Sequence, residues 1–204
     1  MFLEDSRLKE FVNETGSSSP TPGGGSVAAV VLALSFSLSS MVINLTIGKE
    51  KYKDIESDLK NIKKKITDGG EKFLELMNDD ADNFNALMKV LSSKNDKKII
   101  EAIQNAIYPP LEMMRLADKL FPSIYYIVKN GNKNALSDAL ISGILLKAGI
   151  HAAYLNIKIN LNLLYDKKND VFIKKIIDET KNILKNTENF SVKIKKYGEN
   201  ELGR

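Results

Sequence analysis

From Gly23 to Gly48 the chain carries no charged residue. After Ser26 apolar side chains run almost unbroken there, interrupted only by Ser35, Ser37, Ser39, Ser40, Asn44 and Thr46. Small or polar residues recur at Ala29, Ala33, Ser37, Ser40, Asn44 and Gly48, in steps of three and four, which draws one stripe down one face of a helix. The pattern predicts a helix from about Ser26 that is walled in by its neighbours. Its stripe of small residues suits either close helix packing or a ligand laid against the backbone.

The same three-and-four spacing continues along the chain. A short first helix fits 3–14, and 16–25 is a Ser/Pro/Gly loop. Ile55, Leu59, Ile62, Ile66, Phe73, Met77, Phe84, Met88 and Leu91 keep helical spacing through Gly69-Gly70. One long helix with a weak point, or two helices, would produce that pattern. Lys60, Lys63, Lys64 and Lys65 lie mostly off the stripe and read as a solvated face. Asp96 is placed to cap a helix that meets Pro109-Pro110, where a kink or break is expected. Asn130-Gly131-Asn132 reads as a turn, followed by a helix over 134–165 and an amphipathic one over 170–195 that ends in a charged tail. No stretch alternates as a strand would. The expected fold is all-α: a single domain over 1–204, an antiparallel bundle of long helices.

Composition narrows the classes. The 204 residues are 43% hydrophobic and 27% charged, which is globular rather than disordered. With no cysteine and one histidine, disulfides are excluded and an ordinary zinc site is not expected, so no metal is anticipated. A net charge of +4 with 7% aromatics argues against nucleic acid as a partner. The charged N-terminus has no secretory pattern, and a cytoplasmic location is expected. The uncharged run is long enough to span a bilayer, but its serines, its lack of aromatic flanks and the glycine cluster before it favour a buried bundle helix over a membrane anchor.

Two aspartates stand out. Asp80 lies three residues after Met77 and four before Phe84, on the apolar stripe, whereas Asp79 and Asp82 point elsewhere. A carboxylate there costs free energy unless it is paired or used, or unless it caps a helix break at Asn78-Asp79-Asp80. Asp138 shares a helix face with Ile141, Leu145, Ala152 and Asn156, extended by Asn160, which suggests a lined cavity or a subunit seam. It also suits a helix start on dipole grounds alone. Asn156 lies about 27 Å from Asp138 along one helix, so the two cannot touch one ligand atom within a single chain. His151 falls on nearly the opposite face. Ser26 follows Gly23, Gly24 and Gly25 without a preceding strand, so it is no nucleophile elbow, and the stretch lacks the lysine of a P-loop. What remains is a glycine-rich entry to a helix, whose free N–H groups can hold an electron-rich group, or whose crowding admits only glycine.

Pro20-Thr21-Pro22-Gly23-Gly24-Gly25-Ser26, followed by Asn44-Leu45-Thr46-Ile47-Gly48-Lys49, resembles the cyclodeaminase/cyclohydrolase family of folate enzymes. So do Tyr52, Asp80-Ala81 with Phe84, Gly131-Asn132, Ser137-Asp138, and Asn156 with Asn160-Leu161. The matches run from about residue 3 to 166, and the first motif is the most specific. The resemblance implies a helical homodimer acting on a tetrahydrofolate derivative, here without a fused transferase domain. It implies formimidoyltetrahydrofolate cyclodeaminase activity, with methenyltetrahydrofolate cyclohydrolase as the alternative and a non-catalytic helical dimer or ligand-binding protein as a third. Both reactions pass through a cationic one-carbon group, which a desolvated carboxylate stabilises. Asp80 and Asp138 are therefore the expected catalytic pair, one shuttling the proton and the other stabilising charge. Asn44, Asn132, Ser137 and Asn156 are the expected donors and acceptors around the folate. Lys49 and the Gly23–Ser26 helix start are expected to hold its anionic tail.

Overall fold

A computed structural model describes residues 3–165 and 169–203, and its regular elements are all helical. Six α-helices follow in chain order: α1 (Leu8–Thr15), α2 (Gly24–Asn44), α3 (Glu56–Val90), α4 (Asp96–Asn130), α5 (Leu136–Asn162) and α6 (Asp170–Leu202). Short 3₁₀ turns at Leu3–Asp5, Glu50–Ile55 and Lys133–Ala135 join them. The expected all-α bundle is what forms. The first segment divides, with a 3₁₀ turn preceding α1, and the last helix runs on to Leu202 through the stretch expected to be a charged tail.

The uncharged helix α2 packs on α3 and α5, and its Ala28, Leu32, Phe36 and Ile43 are buried in the core. Its apolar character thus answers to neighbours on more than one side. By length and composition α2 and the Lys133–Asn162 stretch are each able to cross a bilayer, yet α2 carries the centre of this bundle. The small-residue stripe divides its work. Ala29 and Ala33 are packed, whereas Ser37, Ser40 and Asn44 line a groove of about 400 Å³ together with Thr67, Gly70 and Glu71 of α3.

The glycine pair in α3 does not break the helix. A Cβ at Gly69 would sit 2.6 Å from Phe36 Cε2, so glycine is there to let α3 close on α2. One turn further, Phe73 meets Phe36 edge to face at 4.9 Å. An unbroken α3 also removes the reading of Asp80 as a helix cap, because Asp80 lies well inside the helix.

Two expectations about α4 are corrected. Asn95, not Asp96, is the N-cap, its side chain accepting from Lys98 N at 3.1 Å. The helix also runs through Pro109, Pro110 and Pro122 without ending. Proline deprives the carbonyl four residues earlier of its donor, but here tertiary packing buries both Pro109 and Pro110 and a side chain from α5 takes up one freed carbonyl. Asn160 Nδ2 donates to Ala106 O at 3.1 Å.

Candidate active site

Asp80 projects from α3 onto the first turn of α2. A Cβ built on Gly25 would lie 2.1 Å from Asp80 Oδ2 and 2.3 Å from its Cγ, so the carboxyl rests directly on the glycine backbone. Gly24 is crossed in the same way by Asn156 of α5, whose amide atoms would stand 3.4 Å from an added Cβ. Pro20, Thr21, Gly23, Gly24, Gly25, Asp80, Phe84, Ala106, Asn156, Ile159 and Asn160 together enclose a small cavity of about 80 Å³. No hydrogen bond or ion pair joins Asp80 to another described residue, and burial pushes its pKa up from 3.8 to about 6. A carboxyl with that pKa takes up and releases a proton near neutral pH, as a general acid–base group must.

The glycine requirement is directly testable. Alanine for glycine inside a helix ordinarily stabilises by about 0.5–1 kcal/mol. At position 25 the added methyl must displace the Asp80 carboxyl or push α2 from α3. Gly25→Ala is expected to lower turnover by about 10²- to 10⁴-fold, the usual worth of a positioned acid–base group. Circular dichroism and steady-state rates on one preparation check it, and a fully active alanine variant would refute the placement.

The predicted residues fall into two groups at opposite ends of the α2–α5 pair. Gly23, Gly24, Gly25, Asp80 and Asn156 meet in the cavity. Ser26, next in the first turn of α2, is fully buried, and its Oγ has no hydrogen-bond partner among the described residues. It does not line the cavity. At the far end, Asn132 N donates to Thr46 Oγ1 at 2.9 Å and its Nδ2 donates to Leu45 O at 2.8 Å, which ties the α4–α5 connection to the end of α2. Asn44, Lys49 and Ser137 are exposed there, and Asp138 is half-buried in the first turn of α5.

Within one chain Asp138 therefore does not reach Asp80, and the two do not share one cleft. The Asn132 side chain is also tied into the loop, its Oδ1 accepting from Asn134 N at 3.1 Å while its Nδ2 donates to Leu45 O. His151 lies 3.4 Å from Glu188, a surface contact away from either group.

Asn160 and Phe84 also line the cavity, though neither was among the expected site residues. In the sequence both stand in the motifs that carry the resemblance, Asn160 also as an extension of the Asp138 stripe and Phe84 on the apolar stripe around Asp80. Among the described residues no group of three or more His, Cys, Asp or Glu side chains gathers as a metal site.

The sequence pattern of formiminotransferase-cyclodeaminase matches residues 7–181. The chain belongs to that family. Methenyltetrahydrofolate cyclohydrolase of Methylorubrum extorquens is 34% identical over 169 residues, covering 78% of this chain and 81% of its own length. Rat formimidoyltransferase-cyclodeaminase is 32% identical over 182 residues, 85% of this chain and 33% of its own length. The chain thus spans about a third of that two-activity relative. The crystal structure of formiminotetrahydrofolate cyclodeaminase from Thermotoga maritima matches with a TM-score of 0.92 at 29% identity over 98% of both chains. The resemblance drawn from the Pro20–Ser26 motif and its companions holds, and the chain is a member of a family of folate one-carbon enzymes.

Proposed function

We propose that this protein is a formimidoyltetrahydrofolate cyclodeaminase whose proton shuttle is Asp80. The observation that carries the proposal is a carboxyl without a charged partner, pushed to a pKa of about 6 and lying against the glycine entry of α2 inside a lined cavity. In the reaction the folate N10 attacks the formimino carbon on N5. Asp80, as the carboxylate, takes the N10 proton and returns it to the terminal nitrogen, which leaves as ammonia. The methenyl cation that remains is stabilised by the same carboxylate in a site with little water. A second reading, cyclohydrolase, is favoured by the relative from Methylorubrum extorquens, which this chain matches over most of its length. There water attacks the methenyl carbon, Asp80 takes one of its protons and passes it to the ring nitrogen whose bond to that carbon breaks, and the remaining hydroxyl proton is lost to solvent, which leaves a formyl folate.

Methenyl absorbance separates the two. Appearance of the band from formimidoyltetrahydrofolate with release of ammonia supports the first, and its enzyme-dependent loss supports the second. Neither change with either folate would refute both. In either direction kcat/KM is expected to fall about tenfold per pH unit below pH 6 and to level off above it, because the working form is the deprotonated one.

The proposal extends to a homodimer. At about 80 Å³ the cavity is far smaller than a site for a whole folate, so in this reading the ring system lies outside it. α5 has one polar side at Lys147, His151 and Lys158, and on another side Ile141, Ile144, Leu155, Ile159 and Leu163 are 41–64% exposed, joined by exposed Leu34 and Met41 of α2 and Leu45 just after it. The α5 stripe runs from Ile141 to Leu163 with its midpoint at Ala152. A two-fold axis there would pair α5 with an antiparallel copy of itself and cover the whole stripe. The partner's Asp138 would then stand about 9 Å beyond Asn160 along the axis, at the end of the pair that holds the Asp80 cavity. The partner's Ser137, Asn44 and Lys49 would lie beside it, where the folate ring and tail emerge. The pair of aspartates expected from the sequence would be completed between chains.

A further inference from the structure

The Asp80 cavity contains two side-chain amides whose orientation is fixed by chemistry rather than by choice of rotamer. Asn156 Nδ2 donates to Ala152 O at 2.9 Å and Asn160 Nδ2 donates to Ala106 O at 3.1 Å. A carbonyl oxygen only accepts, so each amide must turn its NH₂ toward the backbone. Each Oδ1 then remains for the cavity that both residues line. With the Asp80 carboxyl, the cavity side chains present three acceptor groups and no charged donor, besides the second N–H of each amide.

Ala106 O is available to Asn160 for a specific reason. In an uninterrupted helix it would accept from the N–H of residue 110. Residue 110 is proline and has no N–H. The buried proline thus creates a vacant acceptor facing α5, and Asn160, itself buried, fills it.

We propose that Asn156 and Asn160 read the N–H bonds on the terminal nitrogen of a formimino group, and that Pro110 is a positioning residue that aims Asn160 by freeing the Ala106 carbonyl. The assignment rests on the cyclodeaminase reading above and specifies how that site chooses its substrate. A protonated formimino group ends in an NH₂ with two N–H bonds, which acceptor oxygens match. The one-carbon bridge of a methenyl folate carries only C–H and offers them no donor. The acceptors accordingly favour the ammonia-releasing substrate over the methenyl cation and hold its nitrogen beside Asp80, where the departing amine collects its proton.

Asn160→Leu and Pro110→Ala test this against both folates. Asn160→Leu is expected to lower kcat/KM for formimidoyltetrahydrofolate by about 10- to 100-fold, the worth of a hydrogen bond to a charged group. Methenyltetrahydrofolate is the product in that reading and is measured as an inhibitor, and its inhibition constant should rise far less than the formimino kcat/KM falls. Pro110→Ala restores an N–H that competes for Ala106 O. It should lower the formimino rate by about 3- to 10-fold while the melting temperature stays equal or rises, because a helix-interior proline has been removed. Equal weakening toward the formimino substrate and the methenyl product, or no weakening toward either, would overturn the assignment.

Formamidinium chloride, titrated against the side-chain amide NMR signals, gives a readout independent of turnover. The wild-type protein should show saturable shifts at Asn156 and Asn160 that tetramethylammonium does not produce, and Asn160→Leu should lose them. Such shifts in a protein that turns over neither folate would sustain the acceptor assignment while the cyclodeaminase reading fell. Their absence would defeat the acceptor assignment even if turnover were normal.

Discussion

Asp80→Asn is expected to abolish turnover, by about 10³-fold or more, and at the same time to make the protein more stable at neutral pH. Both effects have one cause. In the folded chain burial holds the carboxyl at a pKa of about 6, against 3.8 when it is free in water. The folded state therefore binds the Asp80 proton more tightly than the unfolded state does, and ionising the group opposes folding. Below pH 3.8 the carboxyl is protonated in both states and costs nothing. Between about pH 4 and 6 the unfolded chain ionises first and the penalty grows. Above pH 6 it is complete, at about 3 kcal/mol by the conversion of 1.36 kcal/mol for each tenfold. The neutral asparagine never incurs this penalty. Its melting temperature is expected to exceed wild type by about 5–10 °C at pH 7.5 and to converge with it near pH 4. Scanning calorimetry across that range, beside the methenyl assay, measures both. An active asparagine variant would remove Asp80 from the chemistry, and a constant stability offset at every pH would remove the buried-carboxylate argument.

Asp80 is legible in the sequence because its anomaly is local. A carboxylate at helical spacing between Met77 and Phe84 contradicts its own stripe, and the fold resolves the contradiction by laying the group on Gly25. The glycine cluster is legible for the same reason, since a helix entry so poor in side chains implies close approach. The order and approximate bounds of the long helices also follow from periodicity, as burial on one face repeats every three or four residues.

What the sequence does not disclose depends on partners far away in the chain. Pro109-Pro110 suggests a break when only neighbours are considered. The helix persists because packing from α5, including an amide 54 residues on, accommodates the carbonyl that Pro110 releases. Asn132 reads as a turn residue and is one, but its backbone N–H reaches Thr46 and its side chain reaches Leu45 across more than 80 positions. A catalytic role for Asp138 goes further than its local pattern. The separation from Asn156 on one helix excludes a shared site within a chain. The apolar stripe that continues between them indicates the surface through which a second chain would supply the missing end.

A mixture of two inactive variants is expected to recover activity if that surface is the dimer seam. Asp80→Asn spoils the cavity of its own chain and leaves an intact Asp138 to offer a partner. Asp138→Asn spoils only what its chain offers and leaves its own cavity sound. Homodimers of either variant then have two defective sites. In a mixed dimer one site combines both lesions, while the other joins a wild-type Asp80 with the partner's wild-type Asp138. Random exchange places half of all dimers in the mixed form, so about a quarter of the wild-type sites are restored. If both aspartates served one site from the same chain, no combination would contain an intact pair, and the mixture would stay as inactive as its components. Co-refolding the two variants in equal amounts and following methenyl formation distinguishes a recovery near one quarter from none. Replacing Ile144 and Leu155 by aspartate in both chains provides the matching control. Charges on the exposed α5 stripe should leave each bundle folded, shift it to monomer in sedimentation, and abolish the recovery. Recovery that survived in a monomeric mixture would rule out α5 as the seam, because the two intact aspartates would then have met without it.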